Sequence, residues 1–156
     1  MPIPDFIAAL REKIGHDPLW LPGVTAVVTD DDGRLLLVRR ADDGRWTPVT
    51  GIVDPGEEPA VAARREVAEE TGVEVVVERL ASTAVTGPVV YDNGDRATYL
   101  DLTFACRYVS GTAHVADDES SDVGWYAREA LPAMDDEFLR RIASALDDGP
   151  EAGFVR

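Results

Sequence analysis

The stretch GIVDPGEEPAVAARREVAEETGV, residues 51–73, joins a loop rich in Gly and Pro to a segment dense in charge. Pro59 suits the first turn of a helix, and Gly72 suits the position just past a helix end. The stretch therefore predicts a loop, a helix over residues 59–71 and a second loop.

Three glutamates share one face of the predicted helix. At about 100° per residue, Glu66, Glu69 and Glu70 fall within an arc of about 100°. Like charges at this spacing destabilise a helix, and its last turn disfavours anions. Either the face is solvated, or it holds a partner such as a hard divalent cation, which prefers carboxylate oxygens. A separate apolar stripe faces the core and consists of Ala60, Ala63 and Val67.

The composition limits the ligands of the chain. Its 156 residues carry a net charge of −15, with 15 basic and 30 acidic side chains. Such a chain has no basic surface for DNA or anionic membranes, but a divalent cation could bridge it to a small acidic ligand. The single cysteine, Cys106, favours a reducing compartment, and we expect a cytoplasmic location. No apolar run approaches the roughly 20 residues that span a bilayer.

The remaining sequence predicts strands mixed with a few helices. This order favours an α+β fold with a mixed sheet between helices, as a single domain over residues 1–156. A helix and lead-in occupy residues 1–20, a break follows at HDPLWLPG, and residues 148–156 form a loose tail. Strands are predicted at 24–30, 34–40, 73–87, 96–109 and 123–127, and a C-terminal helix at 136–146.

The full spacing in residues 51–73 resembles the Nudix box. Each defined position of that motif is filled, namely Gly51, Glu57, Arg65, Glu66, Val67, Glu69, Glu70, Gly72 and Val73. The order of strands and helices around it also resembles the Nudix α/β/α sandwich. The resemblance implies a metal-dependent hydrolase.

The resemblance also assigns roles within the box. It implies that Glu66 and Glu70 are the main Mg²⁺ or Mn²⁺ ligands, with Glu69 and the Gly51 carbonyl as further ligands. It implies that Arg65 pairs with Glu57 and orients the carboxylates.

The implied reaction is attack of water on the pyrophosphate of a nucleoside diphosphate that is linked to another group. In many family members the general base is a glutamate on a loop before a late strand, and Glu119 is the candidate here. Asp118 and Asp122 are weaker candidates, and Glu69 is the alternative within the box. Glu119 could equally be an exposed loop residue.

Substrate recognition is less well defined by the sequence. Arg39, Trp46 and Tyr91 are candidate substrate-binding residues. Ordinary packing is the favoured role for Trp46 and Tyr91, and a salt bridge with Asp42 or Asp43 explains Arg39 equally well. We expect a small nucleotide such as ADP-ribose. Hydrolysis of oxidised or ordinary nucleoside triphosphates, or a silent nucleotide-binding module, are the alternatives, and a homodimer is possible.

Overall fold

The computed structural model describes residues 3–156, and its elements follow the predicted order. The helices within this range are α1 (Asp5–Ile14), α2 (Pro59–Thr71) and α3 (Asp136–Leu146). The strands of the same residues are β1 (Leu19–Thr29), β2 (Leu35–Arg40), β3 (Trp46–Thr47), β4 (Val49–Ile52), β5 (Glu74–Val90), β6 (Arg96–Ser110), β7 (Ser120–Tyr126) and β8 (Gly153–Phe154). The predicted bounds of α2 and α3 are confirmed.

The strands form one mixed sheet, as the sequence predicts. Its order is β3-β2-β1-β6-β5-β8, with β4 paired to β1 and β7 paired to β2. The β1–β6 pair is parallel, whereas β1–β4, β2–β7 and β5–β6 are antiparallel. Residues 51–73 therefore begin on β4, directly beside β1, which is a central strand of the sheet.

Strand β1 is buried on both faces, and its alternation separates two layers of helix. Val24 and Val28 belong to the core cluster that includes Ala63 and Val67 of α2. Val27, on the opposite face, packs with Ile142 of α3. Since successive side chains of a strand point to opposite faces, one strand anchors both helices, and the predicted α/β/α sandwich is confirmed.

Two segments differ from the sequence-based prediction. The break predicted at HDPLWLPG is wrong for its second half. Strand β1 begins at Leu19 and continues through Pro22 in parallel register with β6. The tail, expected to be loose, contains β8, whose backbone pairs with the outer edge of β5 at Ser82 and Thr83. In both places the partner strand lies far away in the sequence, so no local sequence feature predicts the start of β1 or the presence of β8.

Burial along α3 does not follow the polarity of its side chains. Leu139 is exposed, whereas Arg141 is buried. The Arg141 guanidinium is held there by Nη1, which donates to Thr25 Oγ1 at 2.9 Å and lies 3.3 Å from Asp101 Oδ1, and by Nη2, which donates to Glu137. Cys106 is buried, and burial raises the pKa of its thiol to about 12.

None of the helices within residues 3–156 has the length and apolarity needed to cross a bilayer.

Candidate metal and catalytic site

Gly51 brings the backbone of β4 against the first glutamate of α2. A Cβ at this position would lie 2.2 Å from Glu66 Cγ and Cδ and 2.4 Å from Glu66 Oε1. No side chain can occupy that space without moving Glu66, so only glycine permits this approach. The close approach places the Glu66 carboxylate directly against the backbone of β4.

Arg65 fastens the loop of the box to its helix. Its Nε and Nη2 donate to the two carboxylate oxygens of Glu57 at 2.8 and 2.9 Å. Nη2 also donates to the Ile52 carbonyl at 3.2 Å, and Nη1 donates to Glu66 at 2.8 Å and Glu69 at 3.2 Å. The expected Arg65–Glu57 pair is therefore present as a bidentate contact, which is the strongest and most directional form of such a pair.

The three glutamates differ sharply in exposure. Glu70 is 5% exposed and the Glu66 side chain 14%, whereas the Glu69 side chain is 56% exposed. The alternative of a solvated acidic face therefore fails for Glu66 and Glu70 and holds only for Glu69. Two buried carboxylates on one helix need a compensating charge or a proton.

Burial and mutual repulsion disfavour the ionised forms of these carboxyls. Burial, chiefly, raises the pKa of Glu66 to about 7, against the opposing effect of Arg65. Burial, followed by the charges of Glu119 and Glu66, raises the pKa of Glu70 to about 8. The Arg65 hydrogen bonds lower the pKa of Glu57 instead.

The connection from β6 to β7, residues 111–119, is attached to the carboxyl end of α2. His114 N donates to Thr71 O and Ala116 N to Glu70 O, both at 3.1 Å. These amides satisfy two of the carbonyls that every helix end leaves unpaired. The attachment carries Glu119 to the box, and Ser120 Oγ donates to Glu70 Oε2 at 3.2 Å.

An open cleft of about 340 Å³ lies over the box, and Glu119 faces it. Burial and the neighbouring Asp117 raise the pKa of Glu119. Asp118 and Asp122, the weaker candidates for the base, are both exposed and are not among the described lining residues. The described residues that line the cleft are Ile3, Pro4, Asp5, Ile52, Asp54, Arg65, Glu66, Glu69 and Glu119.

The three predicted substrate-binding residues do not line this cleft. Arg39 is exposed and donates from Nε to Gly44 O at 2.9 Å. Trp46 packs edge-on against Tyr126 with ring centroids 5.1 Å apart, on the α3 side of the sheet. The Tyr91 hydroxyl bonds to the Tyr99 hydroxyl, and both rings pack beside α1.

The residues of the box fit a hard divalent cation. The donor set is all oxygen, Glu70 is buried and the Glu66 side chain is only 14% exposed, and the missing side chain of Gly51 lets Glu66 lie against the β4 backbone. The described side chains contain no ready-made cage of three or more acidic, His or Cys ligands. Mg²⁺ needs none, because it binds through one or two carboxylates together with water and substrate oxygens.

Several neighbours of the site were not predicted from the sequence. Asp117 and Ser120 lie near the box only because the loop after β6 attaches to α2. The acidic run DDES was the available signal, but it selects no particular residue. Asp5, on the first turn of α1, also faces the cleft, and its sequence context gave no signal at all.

Comparison with known proteins agrees with this geometry. The NUDIX domain family matches residues 19–146. A MutT-like protein of Streptomyces ambofaciens is 38% identical over 131 residues, covering 83% of this chain and 79% of the relative. The NAD-capped RNA hydrolase NudC of Pseudomonas aeruginosa is 34% identical over 134 residues, covering 84% of this chain but only 44% of that protein.

Among solved structures, a MutT NUDIX hydrolase from Burkholderia pseudomallei has a TM-score of 0.63 at 25% identity and covers 81% of this chain and 98% of its own. The sandwich and its acidic helix thus define a hydrolase of the pyrophosphatase type. The chain belongs to the Nudix family, and the prediction of a Nudix hydrolase is confirmed.

Proposed function

We propose that this chain hydrolyses the pyrophosphate bond of a nucleoside diphosphate linked to a further group, with ADP-ribose or a similar small nucleotide as substrate and Mg²⁺ or Mn²⁺ as cofactor. One observation carries the proposal. The largely buried Glu66 lies against Gly51, the buried Glu70 lies one turn further along α2, and Arg65 holds the loop to the helix. This arrangement is costly without a cation and suits one that also binds phosphate oxygens.

The chain's own residues prepare the reaction. Glu66, Glu70, Glu69 and the Gly51 carbonyl would hold the cation, which when bound neutralises phosphate charge and lowers the pKa of the attacking water. Arg65, engaged by Glu57, keeps the carboxylates oriented and leaves no donor free for substrate. Water attacks phosphorus, the bond from phosphorus to the bridging oxygen breaks, and the water proton passes to Glu119.

Glu119 is the better base because of where it lies. It faces the cleft, and burial together with Asp117 raises its pKa, which makes the carboxylate a stronger proton acceptor. Glu69 also faces the cleft, but its carboxylate accepts from Arg65. We expect Glu119→Gln to lower kcat by about 10²–10⁴-fold with little change in Tm, and Glu69→Gln to lower it less. Near-normal turnover in Glu119→Gln would transfer the role to Glu69.

The proposed substrate is small because the protein is acidic. A net charge of −15 gives long RNA no favourable surface. The relative from Pseudomonas aeruginosa is named an NAD-capped RNA hydrolase, but this chain covers less than half of it. A single buried cysteine is in keeping with a cytoplasmic enzyme.

The test is a panel assay with Mg²⁺. Purified protein is incubated with ADP-ribose, a UDP-sugar, ATP and dGTP, and release of mononucleotide is measured. Release from ADP-ribose or the UDP-sugar, abolished in Glu66→Gln/Glu70→Gln, supports the proposal. The matched control is Glu58→Gln, an exposed carboxylate at the start of α2 whose side chain makes no capping bond. Release from no substrate would favour a silent nucleotide-binding module.

A further inference from the structure

One wall of the catalytic cleft comes from outside the segment that matches the Nudix family. The match begins at residue 19, yet Ile3, Pro4 and Asp5 line the cleft together with Glu66, Glu69 and Glu119. These residues belong to α1 and its lead-in. Any part of a substrate that contacts this side of the cleft would therefore contact residues outside the segment that matches the family.

Helix α1 is held firmly enough to act as a wall. Ile7 is 6% exposed and packs with Leu21, Ala97 and also Ile52 of the box loop. Arg11 Nη2 donates to the Arg96 carbonyl at 2.8 Å. At the end of the helix, His16 Nδ1 lies 2.8 Å from Asp95 Oδ1. Contacts at both ends of the helix thus fix the position of its first turn relative to the box.

Among the described residues that line the cleft, no positive side chain is free to bind a further phosphate. Arg65 is the one basic residue of this set, and its nitrogens already donate to carboxylates and to the Ile52 carbonyl. Asp5 is a further acidic residue of the same lining. A terminal phosphate near Asp5 is repelled, whereas a neutral sugar can donate its hydroxyls to that carboxylate and pack on Ile3 and Pro4.

We propose that Asp5 is a specificity-determining residue, which selects nucleoside diphosphates that end in a neutral, hydroxyl-bearing group over nucleoside triphosphates. This inference rests on the proposed function and names the discriminating contact within it. The charge of Asp5 and its position on α1 produce the selection, and the box itself performs the hydrolysis of both kinds of substrate.

The test compares kcat/KM for ADP-ribose with kcat/KM for ATP at fixed Mg²⁺ and ionic strength. In Asp5→Asn the ratio of the two should fall about fivefold or more, as expected for one removed charge near an anion in partly aqueous surroundings. Asp5→Glu keeps the charge and should retain most of the ratio. Glu12→Gln, an exposed carboxylate on the same helix away from the cleft, should leave the ratio unchanged.

The outcomes separate the two proposals. If wild-type protein hydrolyses these substrates but the ratio is the same in wild type, Asp5→Asn and Glu12→Gln, the role of Asp5 is overturned and the proposed function stands. If wild-type protein hydrolyses none of them, both are overturned. A melting curve for each variant checks that α1 remains folded, and raising the salt concentration should shrink the Asp5 effect but not the activity of the box.

Discussion

At the scale of single residues, Glu70 shows how far the site departs from an ordinary stable surface. It is nearly fully buried and lies near the carboxylates of Glu66 and Glu119. Among the described residues, the side chain that donates a hydrogen bond to it is the uncharged hydroxyl of Ser120. Without a cation its carboxylate is therefore a source of instability. The same property would favour the binding of a cation beside it.

The raised pKa of Glu70 fixes the sign of a pH effect. Between the ordinary value of 4.5 and the folded value of about 8, the folded state binds more protons than the unfolded state. Stability from this group is therefore full below about pH 4.5 and is lost as the pH rises through about 8. Glu66, with a pKa of about 7, acts in the same direction.

Glu70→Gln should flatten this pH dependence. In metal-free protein the variant should lose less stability than wild type between pH 5 and pH 8, and at pH 8 its Tm should be higher. Each 1 kcal/mol corresponds to about 2–4 °C in a chain of this size. Mg²⁺ should raise the Tm of wild type at pH 8 more than NaCl of equal ionic strength, and the variant should lose most of that difference. Equal pH slopes and equal Mg²⁺ responses in the two proteins would contradict this account.

Gly51 offers a second residue-scale prediction. Gly51→Ala places a methyl group 2.2 Å from Glu66 carbons, so the carboxylate must move away from the β4 backbone. Because misplacing a catalytic group by about 1 Å costs on the order of 10²-fold in rate, kcat should fall by about that factor. The cost in stability should be small, since a side-chain end can shift. Gly149→Ala is the matched control, because its added carbon meets Asp147 Oδ1 at an ordinary 3.6 Å; similar kinetics in both variants would count against the clash.

At the scale of elements, the junction of α2 with residues 111–119 brings the box and Glu119 together. Gly72 ends the helix with φ at +68°, and a Cβ there would lie 2.2 Å from His114 Cε1. Gly72→Ala should therefore incur about 1–2 kcal/mol for the left-handed backbone and a further penalty for the clash. In a His114→Ala background only the backbone part should remain.

A double-mutant cycle in urea measures this coupling. Turnover should follow the position of the loop, so Gly72→Ala should lower kcat and His114→Ala should partly restore it. If the two changes are simply additive in both stability and turnover, His114 does not transmit the effect of Gly72 to the site.

The elements also show why the sequence predicted some features and missed others. The bounds of α2 are local, because Pro59 and Gly72 mark them within the helix itself. The start of β1 is not, since Leu19 is a strand residue only through its pairing with Ala97. The box residues were identifiable because one 23-residue stretch contains them. Trp46 was not separable from an ordinary core aromatic, because stacking on a base and packing on Tyr126 need the same side chain.

At the scale of the whole molecule, the two faces of the sheet serve different purposes. The α2 face contributes the box, whereas the α3 face holds a buried polar network outside the cleft. There, Asp101 accepts from Thr25 and Thr103 at 2.7 Å each and lies 3.3 Å from Arg141. Both Asp101 and Arg141 are buried. This network ties α3 to the centre of the sheet.

Asp101→Asn should lower the stability of the protein without lowering its kcat. Removing the Asp101 charge leaves the buried Arg141 guanidinium with Glu137 as its remaining carboxylate partner, and the loss of one partner of a buried pair costs up to about 3–5 kcal/mol. Chemical denaturation should show that loss, while kcat measured well below the Tm should stay near wild type, because the hydrogen-bond and ion-pair partners of this network include none of the described residues that line the cleft. Asp101→Asn/Arg141→Met should recover much of the stability, because it also removes the buried charge of Arg141. A large fall in kcat at a temperature where Asp101→Asn is fully folded would show instead that the α3 layer helps to set the geometry of the carboxylates on the opposite face.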